Sequence, residues 1–187
     1  MEGIRIDACD GVYYPREDSY LLAEAVEKYA FGNVLDMGTG TGIQGITAAK
    51  LGCKVVFADL QEKALECARH NAAINGVSGE FVRSNLFSAI GSKFDTIIFN
   101  PPYLPSEEVE DSAADPSLDG GKDGRVFIDA FLASFRGFLN PGGLALLVES
   151  SLNGYEKDIV QEDAELVGKA HYSFEDIAVL LLGKSRA

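Results

Sequence analysis

The sequence predicts an α/β protein: a mostly parallel sheet with helices packed on both of its faces. Two observations carry that prediction. Apolar, β-rich runs at 33–37, 54–58, 80–82, 94–99 and 144–149 alternate with segments of helical spacing, the order that parallel strands joined by crossover helices require. The first run also passes into a glycine-rich turn, Gly38-Thr39-Gly40-Thr41-Gly42, which lets backbone amides approach a ligand at a strand's carboxyl end.

Each element has its own reason. Residues 19–30 set Leu21, Leu22, Ala25, Val26 and Tyr29 against Glu24, Glu27 and Lys28, an amphipathic helix for which Asp18 or Ser19 is the expected cap. Val34 to Met37 forms the first strand, Ile43 to Leu51 the helix after the glycine turn, and the next strand closes at Asp59. Gln61 to Asn75 is a crossover helix ended by Gly76, a natural C-terminal cap. Phe94 to Phe99 reads as a buried strand closed by Asn100-Pro101-Pro102-Tyr103. Leu104 to Gly124, 21 residues with seven acids and one lysine, resists secondary structure; loops that long in compact domains are usually functional or disordered. Phe127, Ala130, Phe131, Phe135 and Phe138 make the apolar stripe of another crossover helix before Asn140-Pro141-Gly142-Gly143. Ile177 to Leu182 adds a last strand, expected antiparallel at the sheet's end.

Size and charge bound the function. One domain is expected over residues 1–187. Apolar residues make up 47% and charged residues 24%, a globular balance, and no apolar run approaches the roughly 20 residues that span a bilayer. The N-terminus, Met1 to Asp7, lacks the basic and apolar regions of a signal peptide, so a cytoplasmic protein is expected, with no membrane partner. Cys9, Cys53 and Cys67 lack the paired spacing of a zinc site or disulfide framework and are expected as reduced, packed thiols. His70 and His171 have no metal-ligand spacing, and no metal is expected. Lys122 and Arg125 are expected as solvated charges. A net charge of −13 repels a phosphate backbone and disfavours nucleic acid as substrate.

The glycine turn fits a nucleotide-type cofactor. Gly40, Gly42 and Gly45 satisfy a G-x-G-x-x-G register, and Asp59 closes the next strand where a dinucleotide enzyme holds its ribose; a dehydrogenase is therefore a serious rival. Asp36, before the glycines, would repel a pyrophosphate but suits a cationic ligand. S-adenosylmethionine carries an ammonium and a sulfonium and no phosphate, with ribose hydroxyls for Asp59 to accept from.

Asn100 to Tyr103 supplies the second argument. A proline after Asn100 removes a backbone donor and holds the preceding residue extended, leaving carboxamide and carbonyl oxygens free to accept from a planar NH2 group. Hydride transfer has no evident need of it.

With these residues in hand, the chain resembles the class I S-adenosylmethionine-dependent methyltransferases, and within them the HemK-like glutamine methyltransferases that modify peptide-chain release factors. It is most similar to the eukaryotic and archaeal branch, which lacks the N-terminal helical domain of the bacterial enzymes: Val12-Tyr13-Tyr14-Pro15-Arg16-Glu17-Asp18-Ser19 resembles that branch's Tyr-x-Pro-x-Glu-Asp-Ser/Thr opening. The resemblance covers nearly all the chain and implies a Rossmann-like, seven-stranded sheet with an antiparallel last strand. It also implies that Ser19, the turn Asp36, Gly38, Thr39, Gly40 and Gly42, Asp59 with Leu60, Asn85 with Leu86, and Asn100 line the cofactor pocket. Asn100, Pro101, Pro102 and Tyr103 are then the catalytic residues that hold the target amide. Asn85-Leu86 stands where many relatives carry Asp-Leu, and Leu118 to Arg125 replaces an Ala-Gly-Gly segment. Such enzymes often work with a small zinc-ribbon activator, which would here be a separate protein.

The expected reaction is methyl transfer to the glutamine nitrogen of a release factor's Gly-Gly-Gln loop. Alternatives from the residues alone are an adenine or guanine amino-group methyltransferase on DNA or RNA, a protein lysine methyltransferase, and a cofactor-binding adaptor without turnover.

Overall fold

The computed structural model describes residues 3–105, 120–172 and 174–183. Most of the acidic stretch expected as a loop, 106–119, lies outside the described residues. Strands β1 (Asn33–Met37), β2 (Lys54–Asp59), β3 (Glu80–Arg83), β4 (Phe94–Phe99), β5 (Leu139–Ser150), β6 (Glu165–Tyr172) and β7 (Glu175–Leu182) form one sheet in the order β3-β2-β1-β4-β5-β7-β6. The pairs from β3 to β5 are parallel, while β7 runs antiparallel to both β5 and β6. Helices α1 (Glu17–Tyr29), α2 (Ile43–Lys50), α3 (Glu62–Ile74), α4 (Val126–Leu132) and α5 (Tyr155–Gln161) complete it.

The period-2 alternation of the strands divides the core in two. Leu35, Met37, Ile97, Phe99, Ala145 and Leu147 face one side, with Ile128 and Phe131 of α4. Val34, Val55, Phe57, Ile98, Leu144 and Leu146 face the other, against Leu22 and Val26 of α1, Ile46 of α2 and Ala68 of α3. Central strands buried on both faces are apolar along most of their length, which is why these runs are legible in the sequence.

Several elements differ from expectation. Helix α1 begins at Glu17, and its N-cap residue, Arg16, makes no side-chain cap; Asp18 and Ser19 lie inside the first turn, where Asp18 is committed to other partners. The phenylalanine stripe is split between α4 and a separate 3-10 turn, Phe135–Phe138. Phe87 joins the two pieces by stacking on Phe131 at 5.7 Å and Phe138 at 4.4 Å. Asn140 to Gly143 belongs to β5 and adds a register shift opposite Phe94 and Thr96. Strand β6 and helix α5 carry no apolar run: β6 is an edge strand, at most half-buried along its length, so its composition stays polar. No helix among the described residues is long and apolar enough to cross a membrane.

The cysteine expectation is corrected. Cys9 and Cys67 form a disulfide, and Cys53 alone is free. Spacing in sequence missed the pair because α3 brings them together across 58 residues. The bridge sits among matched bonds that lay the N-terminal segment along α3. Asn75 accepts from the Arg5 N–H at 3.0 Å and donates to the Arg5 carbonyl at 2.6 Å. Asn71 does the same for Asp7, at 2.9 and 3.2 Å. The positions 67, 71 and 75 recur every four residues, one stripe of a helix.

Opening this bridge by reduction, or by Cys9→Ser, is expected to lower the unfolding free energy by about 2 to 4 kcal/mol through freed chain entropy. Denaturant unfolding with and without reductant reads it. Identical midpoints would mean that the asparagine bonds alone hold the segment.

Candidate active site

The strand order reverses between β1 and β4, whose crossovers leave toward opposite edges of the sheet, and such a switch point opens a crevice at the carboxyl ends of the strands. Met37 pairs with Phe99 at the end of that ladder, so Gly38 and Asn100, one residue further on, emerge side by side. The principal cavity lies there. Of the residues expected to hold a cofactor, Ser19, Gly38, Thr39, Gly40, Asp59, Leu60, Asn85, Leu86 and Asn100 line it. A second, smaller cavity is lined by Asn100, Pro101, Pro102 and Tyr103, with Tyr13, Asp18 and Leu104. Tyr13, Asn100 and Pro102 are common to both cavities.

Asp36 and Gly42 are not on the cavity wall; they build the turn from beneath. Asp36 is buried and accepts the Thr39 hydroxyl at 2.6 Å and the Gly45 N–H at 2.9 Å. Burial pushes its carboxyl up to about 7, against the lowering effect of those two donors. Gly42 has φ +87°, and a Cβ there would stand 3.1 Å from Ala68 on α3, so both the left-handed backbone and the close helix contact demand glycine. Asp59 faces the cavity and braces the turn from the next strand. It accepts from the Gly40 N–H at 3.0 Å and the Gln61 N–H at 2.9 Å. Burial raises its carboxyl, opposed by these backbone donors. Leu86 takes φ +46°, a rare conformation for a branched side chain, and with Asn85 forms another part of the wall.

Sequence reasoning missed Asp18 and Gln44. Asp18 is 5% exposed. Its carboxylate accepts from the Asn100 Nδ2 at 2.8 Å, the Tyr13 hydroxyl at 3.1 Å and the Ser19 hydroxyl at 3.2 Å. Burial first, and the charge of Asp18 next, hold the Tyr13 and Tyr103 phenols far above their ordinary range, so both stay protonated. A carboxylate facing the Asn100 amide also fixes which end of it points outward, because the reverse orientation would set oxygen against oxygen. The Asn100 Oδ1 is buried without a partner on the wall shared by the two cavities. One sequence signal was present: Asp18 falls on the stripe of α1 shared with Leu22, Ala25 and Val26, an acid on an apolar face.

Gln44 donates its Nε2 to the Ser19 carbonyl at 2.8 Å, and its Oε1 is buried with no donor. It too lines the principal cavity. Arg125 departs from its expectation as a solvated charge: its side chain is 11% exposed and paired with Asp158 at 2.8 Å. Lys122 is exposed, as expected.

Fold and crevice together define a class I methyltransferase domain, and comparison with known proteins gives the family. Residues 16–171 match the methyltransferase small domain, and the chain belongs to that family. It is 38% identical, over 96% of its own length and 95% of the relative's, to a Methanocaldococcus jannaschii protein named "Putative protein N5-glutamine methyltransferase". It is 33% identical to the release factor glutamine methyltransferase of Deinococcus radiodurans over 78% of this chain, spanning 56% of that enzyme. Among solved structures, the Mtq2-Trm112 complex of E. cuniculi, responsible for methylation of the termination factor eRF1, superposes with a TM-score of 0.72 at 29% identity, covering 94% of this chain and 99% of that one.

The raised Asp36 carboxyl has a consequence for stability. The folded state prefers its protonated form, so its contribution is fully present below the ordinary value of 3.8 and is lost as pH rises toward about 7. Wild type is therefore expected to lose stability relative to Asp36→Asn across that window, as read by denaturant unfolding at a series of pH values. A constant difference would place the titration elsewhere.

Proposed function

We propose that this chain transfers the methyl group of S-adenosylmethionine to the side-chain amide nitrogen of the glutamine in the Gly-Gly-Gln motif of a peptide-chain release factor. The observation that carries the reading is the Asn100 Oδ1, a buried acceptor left without a partner on the wall between a large and a small cavity. The cofactor belongs in the large cavity. Gln44, through its orphaned Oε1, would hold the ammonium group, and Asp59, through the lone pairs it does not spend on Gly40 and Gln61, would hold the ribose hydroxyls. When bound, the cofactor supplies an electrophilic methyl group.

The protein's own contribution is placement. An amide nitrogen is a poor nucleophile because its lone pair is delocalised. The Asn100 Oδ1 and the Pro101 carbonyl accept its two N–H bonds, turn the nitrogen toward the cofactor and stabilise the charge that develops there until one N–H proton passes to solvent. Tyr103, on the wall of the small cavity, packs against the amide plane. The names of the Deinococcus and E. cuniculi proteins support a release factor as acceptor, and so does the net charge of −13, which opposes a nucleic-acid strand. A small zinc-ribbon protein is proposed as a partner in the cytoplasm, by analogy with the two-protein E. cuniculi complex.

Incubation of the protein and S-adenosylmethionine with a matching release factor, with and without such a partner and beside nucleic-acid controls, tests the reading by mass spectrometry. One added methyl on the Gly-Gly-Gln glutamine is expected. Methylation of nucleic acid alone would overturn the acceptor. Asn100→Ala is expected to leave cofactor affinity nearly unchanged and lower turnover about 10²-fold or more. Gln44→Leu should do the reverse, weakening cofactor binding in calorimetry; unaltered affinity would remove Gln44 from the cofactor site.

A further inference from the structure

Behind the acceptor cavity, and outside the cofactor cavity, the structure holds a polar assembly that the reaction does not use directly. The chain leaving β4 through Pro101 to Leu104 is met by the chain returning at Gly120 to Arg125. The Gly120 N–H donates to the Leu104 carbonyl at 2.9 Å. At Gly124, with φ +72°, a Cβ would sit 2.1 Å from the Tyr103 carbonyl oxygen, so only glycine allows that approach. A third segment, the turn between β5 and α5, completes the contact: Asn153 donates its Nδ2 to the Tyr103 carbonyl at 2.7 Å.

Asn153 is itself held on every side. Its Oδ1 accepts from the Ser150 N–H at 3.2 Å, its Nδ2 also reaches the Asp123 carbonyl at 3.3 Å, and its own carbonyl accepts from Arg125 Nη1 at 2.9 Å. Arg125 is anchored in turn. It bonds both oxygens of Asp158 on α5, at 2.8 and 3.1 Å, and Asp129 on α4 at 2.7 and 3.0 Å. Glu149 lies 3.7 Å away, fully buried, with neither oxygen accepting a hydrogen bond. Burial and then the adjoining Asp158 raise its carboxyl above the usual range. A guanidinium with its planar fork filled on two sides is a rigid post.

We propose that Asn153, locked by Arg125, is the positioning residue of the acceptor side: by fixing the Tyr103 carbonyl it sets the Pro-Pro-Tyr wall against which the acceptor amide is aligned. This rests on the proposed methyl transfer to an amide. Among the described residues the assembly meets the motif through the backbone of Pro102 to Leu104, and neither Asn153 nor Arg125 lines the cofactor cavity. Its loss therefore acts first on the acceptor wall and reaches the cofactor cavity through Pro102, which borders both. A displacement of about 1 Å at a reacting group costs up to about 10²-fold in rate.

The test separates the inference from the reading beneath it. Wild type without transfer to any release factor would overturn the reaction itself. Given transfer by wild type, Asn153→Ala and Asn153→Asp, the latter keeping the shape and the bond from Ser150 while setting oxygen against the Tyr103 carbonyl, are expected to lower kcat on the acceptor roughly 10- to 100-fold. Cofactor affinity should stay within about twofold of wild type, since no cofactor-cavity residue is altered. Fluorotyrosine labelling adds a readout independent of turnover: the Tyr103 resonance, identified by its loss in Tyr103→Phe, should broaden or split in the Asn153 variants. If Asn153→Ala does not fold, Arg125→Lys, which keeps the charge but loses the two-sided grip, carries the same comparison. Wild-type kcat with an unmoved resonance, or losses of kcat and cofactor affinity in equal proportion, would overturn the proposal.

Discussion

The Asp18 carboxylate is the constraint on which the rest of the site depends. A buried carboxylate is costly unless several donors satisfy it, and here the donors come from three places in the chain: Tyr13 before α1, Ser19 within it, and Asn100 after β4. That commitment joins the N-terminal segment to the sheet's switch point. Because Tyr13 and Asn100 border both cavities, one buried side chain orders the wall between the two.

A second pair of acids organises the other wall, and their division of labour follows from burial. Asp36 and Asp59 lie near the ends of adjacent parallel strands, and the charge of Asp59 adds to the cost of ionising Asp36, although burial is the larger cause there. Asp36 turns inward and ties the glycine turn to α2 through Thr39 and Gly45. Asp59 stays at the cavity and holds Gly40. The like-charge argument from sequence, that an acid before the glycines suits a cationic ligand, therefore attaches better to the pair than to Asp36 alone, because the carboxylate on the wall is Asp59.

What was legible in the sequence was what repeats or stands in line. The central strands were readable because both faces are buried, and the glycine turn and Asn100 to Tyr103 because each is contiguous and chemically unusual. Strand β6 was not, because an edge strand tolerates polar residues. The Cys9–Cys67 bridge and the Asp18–Asn100 bond were not either, because they join positions 58 and 82 residues apart that only the finished sheet and α3 bring together. Arg125 shows the same limit in reverse. Its neighbours in sequence, Asp123, Gly124 and Val126, suggest a solvated charge, while Asp158 and Asn153, which bury it, lie far along the chain.

The acceptor cavity also argues for how the reaction can be catalysed. Its ionisable lining residues are Tyr13, Asp18 and Tyr103. Both phenols are held protonated by burial beside a negative charge, so neither is a base near neutral pH. The oxygens of Asp18 accept from Asn100, Tyr13 and Ser19, so this carboxylate is engaged in holding the wall. Among the described residues the lining thus offers no free general base, and what they supply is geometry: an acceptor oxygen whose direction is fixed, a proline-locked backbone beside it, and a wall braced from behind by Asn153. An acceptor as weakly nucleophilic as an amide nitrogen responds to alignment and charge placement, and under the proposed reaction these are what this wall would supply.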